Sequence, residues 1–236
     1  MASGDVPGER GARVSLEGAV AVVTGASAGI GVATARALRD RGARVVVAAR
    51  RVDRLESLAA ELDGLAVQCD VSSWDQVQAL VRRAVGWGGR LDVMVNNAGV
   101  GAFGTLHEAD PVRAAEMIRV NVVGVLNGIR AAGDVMVRQG SGGIVNVSSI
   151  VGEFPDPGGG AYAASKAAVD ILSRTAYREL REHGVHVVLV KPALTDTEFS
   201  SVARGHDRRM GGDPPEKVAR WICDALESGS ANVGYR

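Results

Sequence analysis

The sequence predicts an α/β fold: a doubly wound parallel sheet with helices on both faces. Short, apolar, Val-rich runs recur along the chain, as strands covered on both faces require. A stretch of helical periodicity follows most of these runs, and such alternation implies right-handed βαβ units. The 236 residues are 46% hydrophobic and 23% charged with no break in composition, so one domain with a sizeable core is expected.

Residues 19–23 (AVAVV) form the first strand, and a glycine-rich turn from Thr24 to Gly31 leads into a helix through Arg41. Gly42 is placed to end that helix. Residues 44–49 (RVVVAA) are the second strand, followed by Arg50, Arg51 and a helix over 53–62. The third strand, 65–69, runs into Asp70 and Val71, and the helix over 75–84 is capped by Ser73. The fourth strand, 91–95, ends in Asn96-Asn97-Ala98-Gly99, and one long helix covers 111–139. The fifth strand, 143–148, delivers Ser149 ahead of a long helix over 162–182. The sixth strand, 185–190, stops at Lys191-Pro192, and a last helix spans 214–227. Residues 231–236 leave room for only a short final strand.

Composition removes several function classes. Lys+Arg and Asp+Glu both number 27, and a formal net charge of +0 argues against bulk attraction to nucleic acid or anionic lipid. Cys69 and Cys223 lie far apart without a CxxC or a histidine cluster, so neither a disulfide framework nor a zinc site is expected. A reducing cytoplasm is the natural setting. His107, His183, His186 and His206 show no metal spacing and read as structural or surface residues. Residues 1–13 are polar, Gly-rich and of mixed charge, which predicts a loose tail before a domain over 14–236. No apolar run approaches the roughly 20 residues of a membrane helix.

Two constellations carry chemistry. Gly25, Gly29 and Gly31 lie between strand and helix, where glycine lets backbone N–H groups approach a pyrophosphate. The spacing is G-x3-G-x-G rather than GxGxxG, and turns use glycine anyway, so the strand-turn-helix context carries the reading. In dinucleotide folds the end of the second strand reads the adenosine ribose, a carboxylate taking the 2′-OH and an arginine the 2′-phosphate. Here it ends Ala49-Arg50-Arg51 with no carboxylate. The plainer alternative is that both arginines start a solvated helix.

The second constellation is Ser149, then Tyr162 thirteen positions on, then Lys166 four further. Residues at i and i+4 share a helix face. A nearby ammonium favours a phenolate and lowers the tyrosine pKa from its ordinary value of about 10. An isolated YxxxK is common by chance, and taken alone it reads as ordinary helix surface.

TGASAGIG at 24–31, CDV at 69–71, NNAG at 96–99, VNVVG around Asn121, NVSS at 146–149, YAASK at 162–166 and KPALTDT at 191–197 occur together and in order. In these motifs the chain resembles the single-domain branch of the short-chain dehydrogenase/reductases. The resemblance implies a Rossmann-type, three-layer αβα sandwich and a nicotinamide cofactor; the absence of a carboxylate at Ala49 and the Arg50 guanidinium, expected to clamp a 2′-phosphate, make NADP(H) preferred and NAD(H) possible. It implies a catalytic set of Asn121, Ser149, Tyr162 and Lys166. Ser149 rather than Ser148 fits the spacing to the tyrosine. The implied cofactor residues are Gly25, Ser27, Gly29, Ile30, Gly31, Arg50, Arg51, Asp70, Val71, Asn97, Ala98, Gly99, Tyr162, Lys166, Pro192, Thr195 and Thr197. Two departures stand out: Pro192-Ala193 replaces the family's Pro-Gly, and Thr195 stands where Val or Ile is usual. The family makes that contact largely through backbone, so cofactor binding is expected to survive.

The implied reaction interconverts a ketone or aldehyde with an alcohol. Ser149 and Tyr162 hydrogen-bond the carbonyl oxygen, Tyr162 transfers the proton, and Lys166 binds the nicotinamide ribose and lowers the tyrosine pKa. Asn121 is expected to hold a proton-relay water; read from the residue alone, it satisfies a backbone carbonyl at a kink. Residues 100–103, 153–155 and 194 onward are expected to line the substrate cleft, with Phe154 equally readable as packing. Arg204, His206, Arg208 and Arg209 occupy the family's substrate-lid position, where a basic surface could meet an acidic group such as a carrier thioester; a solvated charge run is the simpler reading. Two alternatives remain: a redox-neutral cyclase, dehydratase or epimerase on the same scaffold, and a non-catalytic cofactor sensor. The long helices are expected to pair across two-fold axes in a homodimer or homotetramer, with Ala131, Ala132, Ala163, Ala164, Ala167 and Ala168 keeping them slim.

Overall fold

The computed structural model describes residues 11–154, 157–199 and 212–234. Its centre is a seven-stranded sheet in which every pairing is parallel. The strands are β1 (Val20–Thr24), β2 (Arg44–Ala49), β3 (Leu65–Gln68), β4 (Val93–Asn96), β5 (Gly142–Val147), β6 (Val185–Lys191) and β7 (Asn232–Gly234). The order is β3-β2-β1-β4-β5-β6-β7, so the winding reverses between β1 and β4. That reversal opens a crevice at the carboxyl ends of the strands, the usual ligand position in an open α/β sheet.

The helices are α1 (Gly29–Asp40), α2 (Val52–Leu62), α3 (Trp74–Gly88), α4 (Pro111–Ile118), α5 (Gly124–Gln139), α6 (Gly160–Leu180) and α7 (Pro215–Ser228). Successive strand residues face opposite layers. Ala21, Val23, Val45 and Val47 join one core, whereas Val22, Val46, Met94 and Ile144 join the other. This is why the strands read as unbroken apolar runs. Asn96, Asn146 and Ser173 are buried in series, Asn96 donating to Asn146 at 2.8 Å and Asn146 to Ser173 at 3.0 Å. A buried amide is costly unless so paired.

Four expectations are corrected. Residues 11–13 are not part of a loose tail: the Gly11 N–H donates to the Gly229 carbonyl at 2.9 Å, and Val14 is buried behind them. The long helix is interrupted by a π turn over Arg119–Val123, where the Asn121 amide takes partners outside the helix. The whole helical run from Pro111 to Gln139 is long and apolar enough to cross a membrane, but 56% of its most apolar window is buried inside the fold. Ala131 and Ala132 are buried against the sheet side, so their small size serves internal packing. Gly42 lies one residue past the α1 cap, with φ +84° suited to the left-handed turn.

Candidate active site

The crevice between β1 and β4 opens into a cleft of about 1270 Å³. Beside it, buried Thr24 at the end of β1 ties the glycine turn down. The Thr24 hydroxyl donates to the Val95 carbonyl (3.0 Å) and accepts from the Asn97 and Ala98 N–H groups (3.0 and 3.2 Å). The Asn97 amide returns a bond to the Thr24 carbonyl at 2.9 Å. The glycine turn is thereby fastened to the end of β4. Gly25 has φ +66°, and a Cβ on Gly31 would lie 2.4 Å from the Gly25 carbonyl oxygen. Only glycine fits either position.

Gly25, Ser27, Gly29, Ile30, Asp70, Val71, Asn97, Ala98, Gly99, Pro192, Thr195 and Thr197 all line the cleft, as do Arg50 and Arg51. Gly31 does not; it lies beneath the turn and allows its close packing. Asp70 accepts from both the N–H and the hydroxyl of Ser72, at 2.9 and 2.8 Å, which fixes the turn into α3. Thr195 is buried, its hydroxyl 3.2 Å from the Ala193 carbonyl, and its strand bridge to Asp213 anchors the segment after β6.

At the outer end, Arg51 donates to the Ser27 hydroxyl from Nε (3.2 Å) and Nη2 (2.9 Å). Arg54 adds a bond to the Ser27 carbonyl at 3.3 Å. Arg50 points elsewhere, to Glu116 at 3.6 Å. Of the two arginines marked at the strand end, Arg51 therefore faces the glycine turn more directly. Arg54 was missed because one helical arginine has no distinguishing pattern in sequence.

At the inner end, β5 delivers two serines to opposite fates. Ser148 turns into the protein, 2.5 Å from the Asp170 carboxylate and 3.1 Å from the Lys166 carbonyl. Ser149 lines the cleft beside Tyr162, its hydroxyl 3.5 Å from the Pro192 carbonyl. Lys166 reaches down the same face of α6, its ammonium donating to the Val147 carbonyl at 2.9 Å and lying 5.7 Å from the Tyr162 ring centre. Burial raises the Tyr162 pKa above its ordinary value, with the Ser149 hydroxyl opposing. Burial pushes Lys166 down to about 8, with Asp170 opposing. At the phenol, desolvation outweighs the Ser149 hydroxyl.

Asn121 is part-way behind this group. Its amide nitrogen donates to the Val100 carbonyl (2.9 Å) and Ser165 hydroxyl (3.0 Å), and its oxygen accepts the Val100 N–H (2.9 Å). The side chain satisfies backbone at the helix kink and does not line the cleft.

A family model described as "short chain dehydrogenase" matches residues 19–207. The chain belongs to the short-chain dehydrogenase family. A 3-oxoacyl-[acyl-carrier-protein] reductase of Thermotoga maritima is 37% identical over 190 residues, covering 78% of this chain and 77% of that protein. Among solved structures, a short-chain dehydrogenase/reductase from Burkholderia phymatum in complex with NAD superposes with TM-score 0.87 at 31% identity, covering 93% of this chain and 89% of that one. An alcohol dehydrogenase from Thermococcus sibiricus complexed with 5-hydroxy-NADP gives 0.84 at 33%, covering 92% and 96%.

The part of this dehydrogenase cleft beyond the tyrosine is aromatic. Phe103 and Phe199 lie 5.5 and 5.4 Å from Tyr162, ring centre to ring centre, and 6.2 Å from each other. Phe103 and Phe199 fall within the segments expected to line the cleft, 100–103 and 194 onward. Phe154 does not line the cleft: it is 59% exposed, and Glu153 is drawn away to an ion pair with Lys191. Pro155 and the basic positions Arg204, His206, Arg208 and Arg209 lie outside the described residues.

Proposed function

We propose that this short-chain dehydrogenase is an NADPH-dependent oxidoreductase interconverting a carbonyl compound and its alcohol. The carrying observation is the convergence of Ser149, Tyr162 and Lys166 on the cleft that the glycine turn opens. The turn fits a dinucleotide: side chains are missing at Gly25 and Gly29, and the Ser27 hydroxyl with the Arg51 guanidinium lies beside it. When bound, the nicotinamide exchanges a hydride with the carbonyl carbon.

Tyr162 gives its phenolic proton to the carbonyl oxygen during reduction and takes it back during oxidation. Ser149 holds the same oxygen and orients the phenol. Lys166 holds the ribose side of the cleft and keeps a positive charge near the phenol below its lowered pKa. Asn121 is a positioning residue, tying the Val100 segment to α6 through Ser165.

The preference for NADPH rests on Arg51, Arg54 and Ser27 and on the lack of a carboxylate at Ala49. Arg50, expected to clamp the phosphate, becomes the lesser contributor because its guanidinium is turned toward Glu116. The Thermococcus sibiricus enzyme, crystallised with a 5-hydroxy-NADP, is in keeping with this preference. Phe103, Phe199 and Leu194 favour a carbonyl flanked by apolar or ring-bearing groups. Buried, free Cys69 and Cys223 suit a reducing compartment. Two-fold self-association rests on the exposed apolar residues Val123 of the π turn, Leu126 of α5 and Ile171 of α6. Light scattering that returned only the 24.4 kDa monomer at micromolar concentration would remove it.

The test is a panel of apolar and polar ketones followed by NADPH absorbance. Stoichiometric NADPH consumption with an aryl or alkyl ketone is the expected result. Product formation without consumption would assign the redox-neutral reading.

A further inference from the structure

The arginines at the phosphate end of the cleft already hold an anion of the protein's own. Glu198 reaches them from the far side, 147 positions along the chain from Arg51. One carboxylate oxygen accepts from Arg54 at 2.7 Å and the other from Arg51 at 3.2 Å. Arg51 simultaneously holds the Ser27 hydroxyl, so Glu198, Ser27 and both guanidiniums form one cluster. In the NADPH reading these guanidiniums, beside Ser27 of the glycine turn, are the donors that meet the phosphate. We propose that Glu198 is an internal competitor for the cofactor's 2′-phosphate, occupying Arg51 and Arg54 until a 2′-phosphorylated ligand displaces it. The inference rests on the NADPH reading given above.

Three features support exchange rather than a permanent lock. The side chains of Arg51 and Arg54 are each 49% exposed and that of Glu198 57%, so water can replace either partner. Exposed ion pairs are individually weak. A ribose 2′-phosphate brings about −1.5 to −2 charges and three acceptor oxygens, against one charge and two oxygens for the carboxylate. The two guanidiniums hold Glu198 below the usual carboxylate range, so the competitor stays charged at neutral pH. Glu198 also lies in a segment that touches both ends of the site. Thr197 packs on the glycine turn, where a Cβ on Gly29 would lie 2.7 Å from its methyl. Phe199 covers Tyr162. A carboxylate at Ala49 would bar the phosphate from a fixed strand; one at Glu198 makes the bar movable.

The experiment is calorimetric binding of 2′,5′-ADP and 5′-AMP to the full chain, comparing the native protein with Glu198→Gln, Glu198→Ala and Arg51→Ala. Both Glu198 variants are expected to bind 2′,5′-ADP about three- to tenfold more tightly, with 5′-AMP unchanged. An unchanged or weakened 2′,5′-ADP affinity in both variants would overturn the inference, leaving Glu198 as a residue that orients the arginines. A loss confined to 5′-AMP would overturn it in favour of Glu198 as an acceptor for a 2′-OH. The cofactor reading fails separately: if the native protein does not distinguish the two ligands but the Glu198 variants do, the competitor stands and the NADPH preference falls. If Arg51→Ala leaves 2′,5′-ADP binding intact, the phosphate site itself lies elsewhere and both readings fall.

Discussion

The two ends of the cleft are built on opposite principles. At the inner end, Lys166 is buried, Tyr162 is shielded, and the Lys166 ammonium and Ser148 hydroxyl are tied to main chain of β5 and to α6. At the outer end, Arg50, Arg51, Arg54, Glu116 and Glu198 are about half exposed and form ion pairs with one another. Desolvation governs the first end and moves pKa values; solvent screening governs the second and leaves charges easily exchanged. The proposed function puts the chemistry where geometry is rigid, and cofactor choice where side chains can rearrange.

The largest expected effect tests the rigid end. Tyr162→Phe removes one hydroxyl and should lower kcat by about 10²–10⁴-fold with cofactor affinity preserved. Retention of more than about half of native kcat would mean that proton transfer runs through another group. Next, the serine pair separates catalysis from stability. Ser149→Ala should cost about 10²-fold in kcat with little change in Tm. Ser148→Ala leaves the buried Asp170 carboxylate without its 2.5 Å partner, so it should destabilise by about 1–3 kcal/mol while sparing the kcat of folded enzyme. Reversed behaviour of the two would show that the serine assignments are exchanged.

The outer end should respond on a smaller scale. Arg51→Ala should reduce the NADPH-over-NADH ratio of kcat/KM about tenfold, as expected for one hydrogen bond to a charged group. Arg50→Ala should change it no more than about twofold, because an exposed residue engaged elsewhere contributes little. If Arg50 proves the stronger determinant, its Glu116 pairing must break on binding.

A pH experiment contrasts the ends directly. The folded pKa of Lys166, about 8, lies below the ordinary 10.5. Between those values the unfolded chain holds a proton that the folded chain lacks, so stability should rise with pH there. Below about 8 the full penalty of the buried charge is present. Denaturant unfolding of the ligand-free protein, compared with Lys166→Met, should show a difference changing by up to about 1.4 kcal/mol per pH unit across that window. A flat difference would mean that the ammonium is solvated.

Much of this molecule was legible because its signals are local. The Val-rich strands, the glycine turn and the Ser149, Tyr162, Lys166 spacing each follow from a single strand, turn or helix face. What the sequence could not decide are properties of surroundings. Whether Arg50 or Arg51 meets the glycine turn depends on Glu116, a residue on a helix 66 positions further on. How strongly the Tyr162 phenol is desolvated depends on the packing around it, including Phe103 and Phe199. Asn121 reads the same in sequence whether it binds water or backbone, and only the π turn shows it committed to Val100 and Ser165. Backbone periodicity and turn chemistry act within a few residues, so sequence alone determined the sheet, the turn and the shared helix face of Tyr162 and Lys166. Desolvation and ion pairing act between segments more than a hundred residues apart, as between Arg51 and Glu198, so only the tertiary structure decided their partners.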